Sequence, residues 1–406
     1  MRALPFFPVA CLLVACGGAS IPDVPAISRE KTLYAESADC SDLKLHDSGE
    51  MLYIVAGRDC ALEGPMEMRI GMRGAGQASA QTVEVRMSLG EEIEALDVPG
   101  TGLRRVELHR TGEWRRLSNA DSWQHRDGAG LLLLRGELYL LGGWNWSDTS
   151  SEVWKTRDLV QWEFLGNAPW SPRHGAAWLV HRDRLYVIGG DWMTDAWSSY
   201  DGVAWTRHTT TAPFGTLYTP NAVSVDDRIV LYGGQGGTEG VNDVWSSEDG
   251  SAWDALPVAP WAGRGLIHGH AFHAGRFYVI GGGVKAVPPG GTFGETKHEF
   301  SDIWSSSNGL DWRQEADTLG FAPRTHFSVV STPRGCYVSD GSVGTQGNVT
   351  NDLFFADDCV HFAPVPDVPP LEPRHASSLA YFNGSLVILG GPPAGDAGTA
   401  VWQYFP

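Results

Sequence analysis

The chain has 406 residues, 42% of them hydrophobic, and a formal charge of −18. It is long enough to bury a large core, and its acidity argues against nucleic acid, and against broad contact with anionic lipid, as partners. Seventeen tryptophans is a high number, and a repeat described below consumes most of them.

Met1-Arg2 is a short basic start, and the apolar stretch 4–15 is too short to span a bilayer as a helix. Leu13-Val14-Ala15-Cys16 resembles a bacterial lipobox. That resemblance implies a signal peptide over 1–16 and lipidation of Cys16; with Gly17 rather than Asp after the Cys, it implies the outer membrane. The alternative is an ordinary secretory signal. Residues 17–29 read as a flexible tether. Of six cysteines, Cys11 leaves with the signal and Cys16 carries lipid. An even remainder in an exported chain predicts two disulfides, most simply Cys40–Cys60 and Cys336–Cys359.

Residues 30–112 contain alternating segments at 81–87 and 104–109, separated by Gly, Pro and Asp clusters. They predict a small β-sandwich-like domain held by Cys40–Cys60. A rival reading makes 49–57 the second strand of a divergent seventh blade. It needs an insertion of about forty residues, long for a connection within a compact domain.

From 113 to 406 one pattern recurs six times. A β-branched or aromatic run closes on glycine (138–143, 185–190, 229–234, 277–282, 336–341, 386–391), and an aromatic pair eight residues apart follows. The pairs are Trp154/Trp162, Trp197/Trp205, Trp245/Trp253, Trp304/Trp312 and Phe354/Phe362. The sixth copy has Trp402 and then ends; its missing partner is Trp114. A period of about fifty residues with short strands predicts a β-propeller. Residues 184–190, 195–202 and Trp205 resemble a bacterial kelch-type propeller of the galactose-oxidase central-domain kind. The expected fold is all-β: a six-bladed kelch-type propeller, its last blade completed by strand 113–117, preceded by the small β domain. Closure removes two exposed sheet edges. Cys336–Cys359 would staple the fifth blade, whose Phe pair is smaller than its neighbours' Trp pairs.

Turns such as Ser246-Ser-Glu-Asp-Gly250 are close to the Asp-boxes of sialidase-like propellers, but they read as hairpin chemistry, with Asp and Gly closing a tight turn. The longer loops lie on the other face, around the channel mouth, where binding residues concentrate. There the sequence places Arg126, Arg173-His174, His268-Gly-His270, Arg324-Thr-His326 and Arg374-His375; only copy three, with Tyr218-Thr-Pro-Asn221, breaks the series. The kelch resemblance implies that Arg at this place lines the mouth, and a basic ring would favour a carboxylate. Trp144, Trp146 and Trp192 fall in mouth loops, where they suit sugar stacking or a protein hot spot; Trp170 and Trp261 read as loop packing. His268 and His270 lie two apart, a spacing a metal site could use, yet no metal or cofactor is expected, and no catalytic motif stands above background. The expected protein is a monomeric surface module binding a glycan or protein. One alternative is an enzyme on an acidic sugar, similar to the six-bladed kelch sialic-acid mutarotases, with Glu295, Glu299 or a rim His moving protons. Another is a structural role in an envelope assembly.

Overall fold

The computed structural model describes residues 32–47, 51–60, 62, 64–73, 81–98, 101–117, 123–286, 294–367, 369–391 and 399–406. The signal, the tether and Cys16 lie outside them. The architecture is mostly β and propeller-like.

Repeat 2 shows how a repeat folds. Ala177–His181, Arg184–Ile188, Ala196–Ser199 and Trp205–Thr209 pair antiparallel in sequence order. Leu185, Tyr186, Val187 and Ile188 are all buried, because this strand is covered on both faces, which is why its sequence is a continuous apolar run. The first strand alternates buried and partly exposed residues, since one of its faces turns to the axis. The two are joined through Arg182 and Asp183, both at positive φ (45° and 59°), the type I′ geometry that matches strand twist.

The other repeats form the same four-stranded order, with three additions. In repeat 6 the fourth strand is Glu113–Leu117, antiparallel to Val401–Phe405 with Trp114 opposite Tyr404. In repeat 4 the inner strand is broken: Ile267–Gly269 pairs in parallel with Phe327–Thr332 of repeat 5, and Ala271–His273 returns to its own sheet. Three loops after the glycine-terminated runs stand up as small hairpins: Gln235–Gly236 with Glu239–Gly240, Gly283–Lys285 with Thr296–Glu299, and Ser342–Val343 with Asn348–Val349.

Apolar clusters join each repeat to the next. Leu132, Tyr139 and Leu141 of repeat 1 pack with Leu185 and Val187 of repeat 2. Phe382, Val387 and Leu389 of repeat 6 pack with Leu138 and Leu140 of repeat 1. The inner strands also begin in a circuit of hydrogen bonds. Gly175 N–H donates to Gly128, Thr219 to Gly175, Leu266 to Thr219 Oγ1, His326 to Leu266, Ala376 to His326, and Gly128 to Ala376. All six residues have positive φ.

The N-terminal residues make two further sheets. Thr32–Glu36, Met66–Arg73 and Gln81–Met87 form one. Leu43–Asp47, Met51–Ala56, Gly102–Arg110 and Glu92–Val98 form the other. Leu52, Ile54, Met66, Ile70 and Leu108 share one core between them. Met51–Ala56 runs parallel to Gly102–Arg110, so this region is not the antiparallel meander a seventh blade requires. It docks on repeat 6: the His109 ring stacks on Phe405 at 3.9 Å, and Arg58 pairs with Asp367. Both disulfides join the expected partners, Cys40 with Cys60 and Cys336 with Cys359. They are the mark of a chain matured in an oxidising compartment.

Candidate functional site

Each inner strand is entered through three successive residues with three different jobs. The first is Arg126, Arg173, Arg264, Arg324 or Arg374, with Leu217 in repeat 3. Arg173 is fully buried. It donates to the Gly189 carbonyl at 2.9 Å and to both Asp195 oxygens at 2.5 and 3.0 Å, and Asp195 also accepts from the Trp197 indole at 2.7 Å. Burial opposes the Asp195 charge, but the Arg173 hydrogen bonds and charge outweigh it and hold the carboxyl below its usual range. Arg126 repeats the arrangement with Gly142 and Glu152, Arg264 with Gly281 and Asp302, and Arg324 with Asp340 and Asp352. Arg374 bonds the Gly390 and Glu372 carbonyls, and Ala400 stands where the other repeats carry the carboxylate.

This corrects the expected basic ring. Arg126, Arg173, Arg324 and Arg374 are at most 3% exposed, and each reaches along its own sheet rather than into the mouth. The kelch-like Arg and the carboxylate two residues before the first Trp are one structural pair. Repeat 4 also contributes Arg264, whereas the sequence reading put His268 and His270 in that place.

The second residue of each step faces the mouth, on the opposite side of the strand from the arginine. These residues are Asp127, His174, Tyr218, Gly265, Thr325 and His375. The His174 Nδ1 bonds Asp191 at 2.9 Å, and the Tyr218 hydroxyl meets its Nε2 at 2.9 Å. Burial disfavours the imidazolium, but the Asp191 hydrogen bond and the Asp191 and Asp127 charges win, so the His174 pKa is raised. Asp127 is 7% exposed, with one oxygen 3.8 Å from His375 Nε2 and the other without a hydrogen-bond partner among the described residues. Burial, aided by Asp191 and opposed by His174, pushes its carboxyl up to about 7. The His326 ring, carried by the third residue of its step, lies 5.6 Å from His375 and 5.7 Å from His268. Burial holds His268 down to about 3 and His375 to about 4, so both are neutral near neutral pH.

The expected loop tryptophans converge on the same place. Trp144 lies 5.9 Å from the His174 ring and 5.1 Å from Trp146, which is 47% exposed. Trp192 stacks on Tyr218 at 5.8 Å. Trp170 and Trp261 are each 1% exposed and serve packing. Across the mouth, Glu299 accepts the Gly344 N–H at 2.9 Å, tying two rim hairpins together. Burial raises the Glu299 pKa. Lys285, on the same hairpin, has its pKa lowered by burial, and its ammonium makes no hydrogen bond or ion pair among the described residues. Glu295 is exposed. The structure thus gathers His174, His326, His375, Trp144, Trp146 and Trp192, adds Asp127, Asp191, Tyr218 and Lys285, sets the arginines apart, and leaves His270 below the hydrogen-bond circuit. Among the described residues no three His, Cys, Asp or Glu side chains are placed to share a metal ion. Asp127 and Tyr218 were legible as the residues beside the Arg position; Asp191 and Lys285 lie in irregular loops that carry no repeat signal.

No family model matches this chain, and no curated protein does. Among solved structures 358 chains match. One, titled "Structure of YjhT", shares 16% identity over 70% of this chain and 95% of that one, with a TM-score of 0.54. At that identity the likeness is one of fold alone.

Proposed function

We propose that this chain is an exported, lipid-anchored protein whose residues 113–406 form a closed six-bladed kelch-type propeller behind a small β domain at 30–112, and that it binds a glycan at the propeller mouth. Closure is supported by the hydrogen-bond circuit and by the outer strand Glu113–Leu117. Anchoring rests on the lipobox-like Leu13-Val14-Ala15-Cys16.

The observation that carries the binding reading is the convergence of Trp144, Trp146 and Trp192 on Asp127, His174, Asp191 and Tyr218. Flat aromatic faces stack on the C–H face of a sugar ring, and carboxylates accept its hydroxyl protons. With the arginines paired internally, carboxylates offset Lys285 and His174, so the mouth favours a neutral polyhydroxyl ligand over the acidic one first expected. On a glycan array, neutral glycans should bind, and Trp144→Ala or Trp192→Ala should weaken binding about thirtyfold with folding unchanged. Selectivity for acidic glycans, or indifference to both substitutions, would overturn the assignment. A protein ligand would instead show as an empty array with capture of an envelope partner that is sensitive to the same substitutions.

One observation favours a second reading, catalysis on a sugar. Asp127 at about 7 and the Asp191-bonded His174 are two proton-holding groups of different strength at one mouth, as acid–base chemistry requires. Faster anomer exchange of a bound sugar in proton NMR, lost in Asp127→Asn, would establish it; unchanged exchange would leave binding alone.

A further inference from the structure

Beneath the hydrogen-bond circuit, on the side away from the mouth, the inner strands enclose a second space of about 440 Å³. Its walls are mainly apolar: Leu131, Trp178, Val180, Phe272, Val330 and Tyr381. That volume lies within the range of small-molecule sites, which are mostly apolar with a few placed polar groups. The serines along it are already engaged. Ser331 accepts the Phe272 N–H, Ser377 bonds Asp340, and Ser378 donates to the Ala129 carbonyl. His268, at the upper end, meets His326 at 3.4 Å.

His270 is different. It also lines the space, is partly buried, and its ring has no hydrogen-bond or ion-pair partner among the described residues. Its position is built by the break in the inner strand of repeat 4. Ile267–Gly269 leaves its own sheet to pair in parallel with repeat 5, and Ala271–His273 returns. The crossing needs Gly269: its φ is +84°, and a Cβ there would stand 2.2 Å from the Val329 carbonyl oxygen. Such interruptions re-aim a side chain at the cost of ladder bonds, and they cluster beside functional sites. An imidazole with both ring nitrogens unbonded can accept a hydroxyl proton from a ligand in this space or donate its own N–H to it.

We propose that this lower cavity is a binding site, separate from the mouth, for a small neutral amphiphile: an apolar aromatic or branched aliphatic body with one hydroxyl, which hydrogen-bonds His270. A carboxylate is disfavoured, because burial lowers the His270 pKa to about 4 and leaves the ring uncharged near neutral pH. The neutral ring can accept the ligand's hydroxyl proton or donate its own N–H. The circuit of backbone bonds through Gly128, Gly175, Thr219, Leu266, His326 and Ala376 lies between the two sites.

Calorimetric titration of the purified protein with 2-naphthol, and in parallel with naphthalene, tests this. Saturable one-to-one binding of 2-naphthol is expected, with naphthalene about tenfold weaker for want of the hydroxyl. Val330→Trp should fill the space and abolish both. Should Val330→Trp fail to melt cooperatively, His270→Phe decides: it should retain naphthalene and erase the preference for the naphthol. No saturable binding of 2-naphthol overturns the proposal. So does a naphthol preference that survives His270→Phe, or binding that survives Val330→Trp in a folded protein. Because neither substitution touches the mouth, failure here leaves the glycan reading standing.

Discussion

Arg324 is 1% exposed and spends its guanidinium on the Asp340 carbonyl, Thr350 and both oxygens of Asp352. Removing one partner of a buried ion pair leaves the other uncompensated. Arg324→Ala should therefore cost about 3–5 kcal/mol in urea unfolding. Arg374 hydrogen-bonds carbonyls and no carboxylate among the described residues, so Arg374→Ala should cost less, about 1–3 kcal/mol. Equal costs would contradict the pairing logic. Asp340 makes a second prediction. It is fully buried and bonded to Ser377, and burial, opposed by that hydrogen bond and by Arg374 and Arg324, pushes it up to about 8. Unfolded, an aspartate titrates near about 3.9. Between those values the folded chain binds more protons than the unfolded one, so this contribution to stability is complete below about pH 4 and is lost as pH rises towards 8. Asp340→Asn should remove that slope. Melting temperatures of both proteins from pH 5 to 8 would show it, and parallel curves would refute it.

The turns between third and fourth strands explain why Asp-box-like residues recur without chemistry. In repeat 2, Ser199 Oγ accepts the Gly202 N–H, Asp201 accepts the Val203 and Ala204 N–H groups, and Trp205 clamps the Gly202 carbonyl. Repeats 1, 3 and 4 build the same turn with Thr156, Ser247 and Ser306. Repeat 5 puts Cys359 in the left-handed position (φ 60°) that Gly202, Gly250 and Gly309 occupy elsewhere. There the disulfide to Cys336 ties the turn to the second strand, beside the smaller Phe354 and Phe362. Replacing both cysteines by alanine closes no loop in the unfolded chain and should cost about 2–4 kcal/mol in urea unfolding. A loss near zero would mean the Phe-based packing suffices without the crosslink.

Across the molecule, the inner strands run from a polar mouth to an apolar lower space. His174, Asp127 and Tyr218 stand at one end, and Phe272, Val330 and Tyr381 line the other. The hydrogen-bond circuit lies between them, and its positive φ values let each N–H reach the neighbouring repeat. The N-terminal sheets are anchored to repeat 6 through His109 on Phe405 and Arg58 with Asp367, and Glu113–Leu117 continues directly from them into the outer strand.

Strand positions, the hairpin turns, the pairing of Trp114's strand with the last one, and both disulfides were legible in the amino-acid order. They follow from short-range rules: side-chain period, turn residues, and a repeat whose missing piece had one place to go. The site was legible only in part. Trp144, Trp146, Trp192 and His174 come together in the structure, but Arg173 and His174, adjacent in sequence, go to opposite sides of one strand, and only the packed sheet reveals that the arginine side already holds a carboxylate. The meeting of Asp127 with His375, 248 positions apart, and the placing of His270 beside the lower cavity depend on how the sheets of different repeats pack together. Such contacts are set by non-local packing and burial, which no local pattern along the chain encodes.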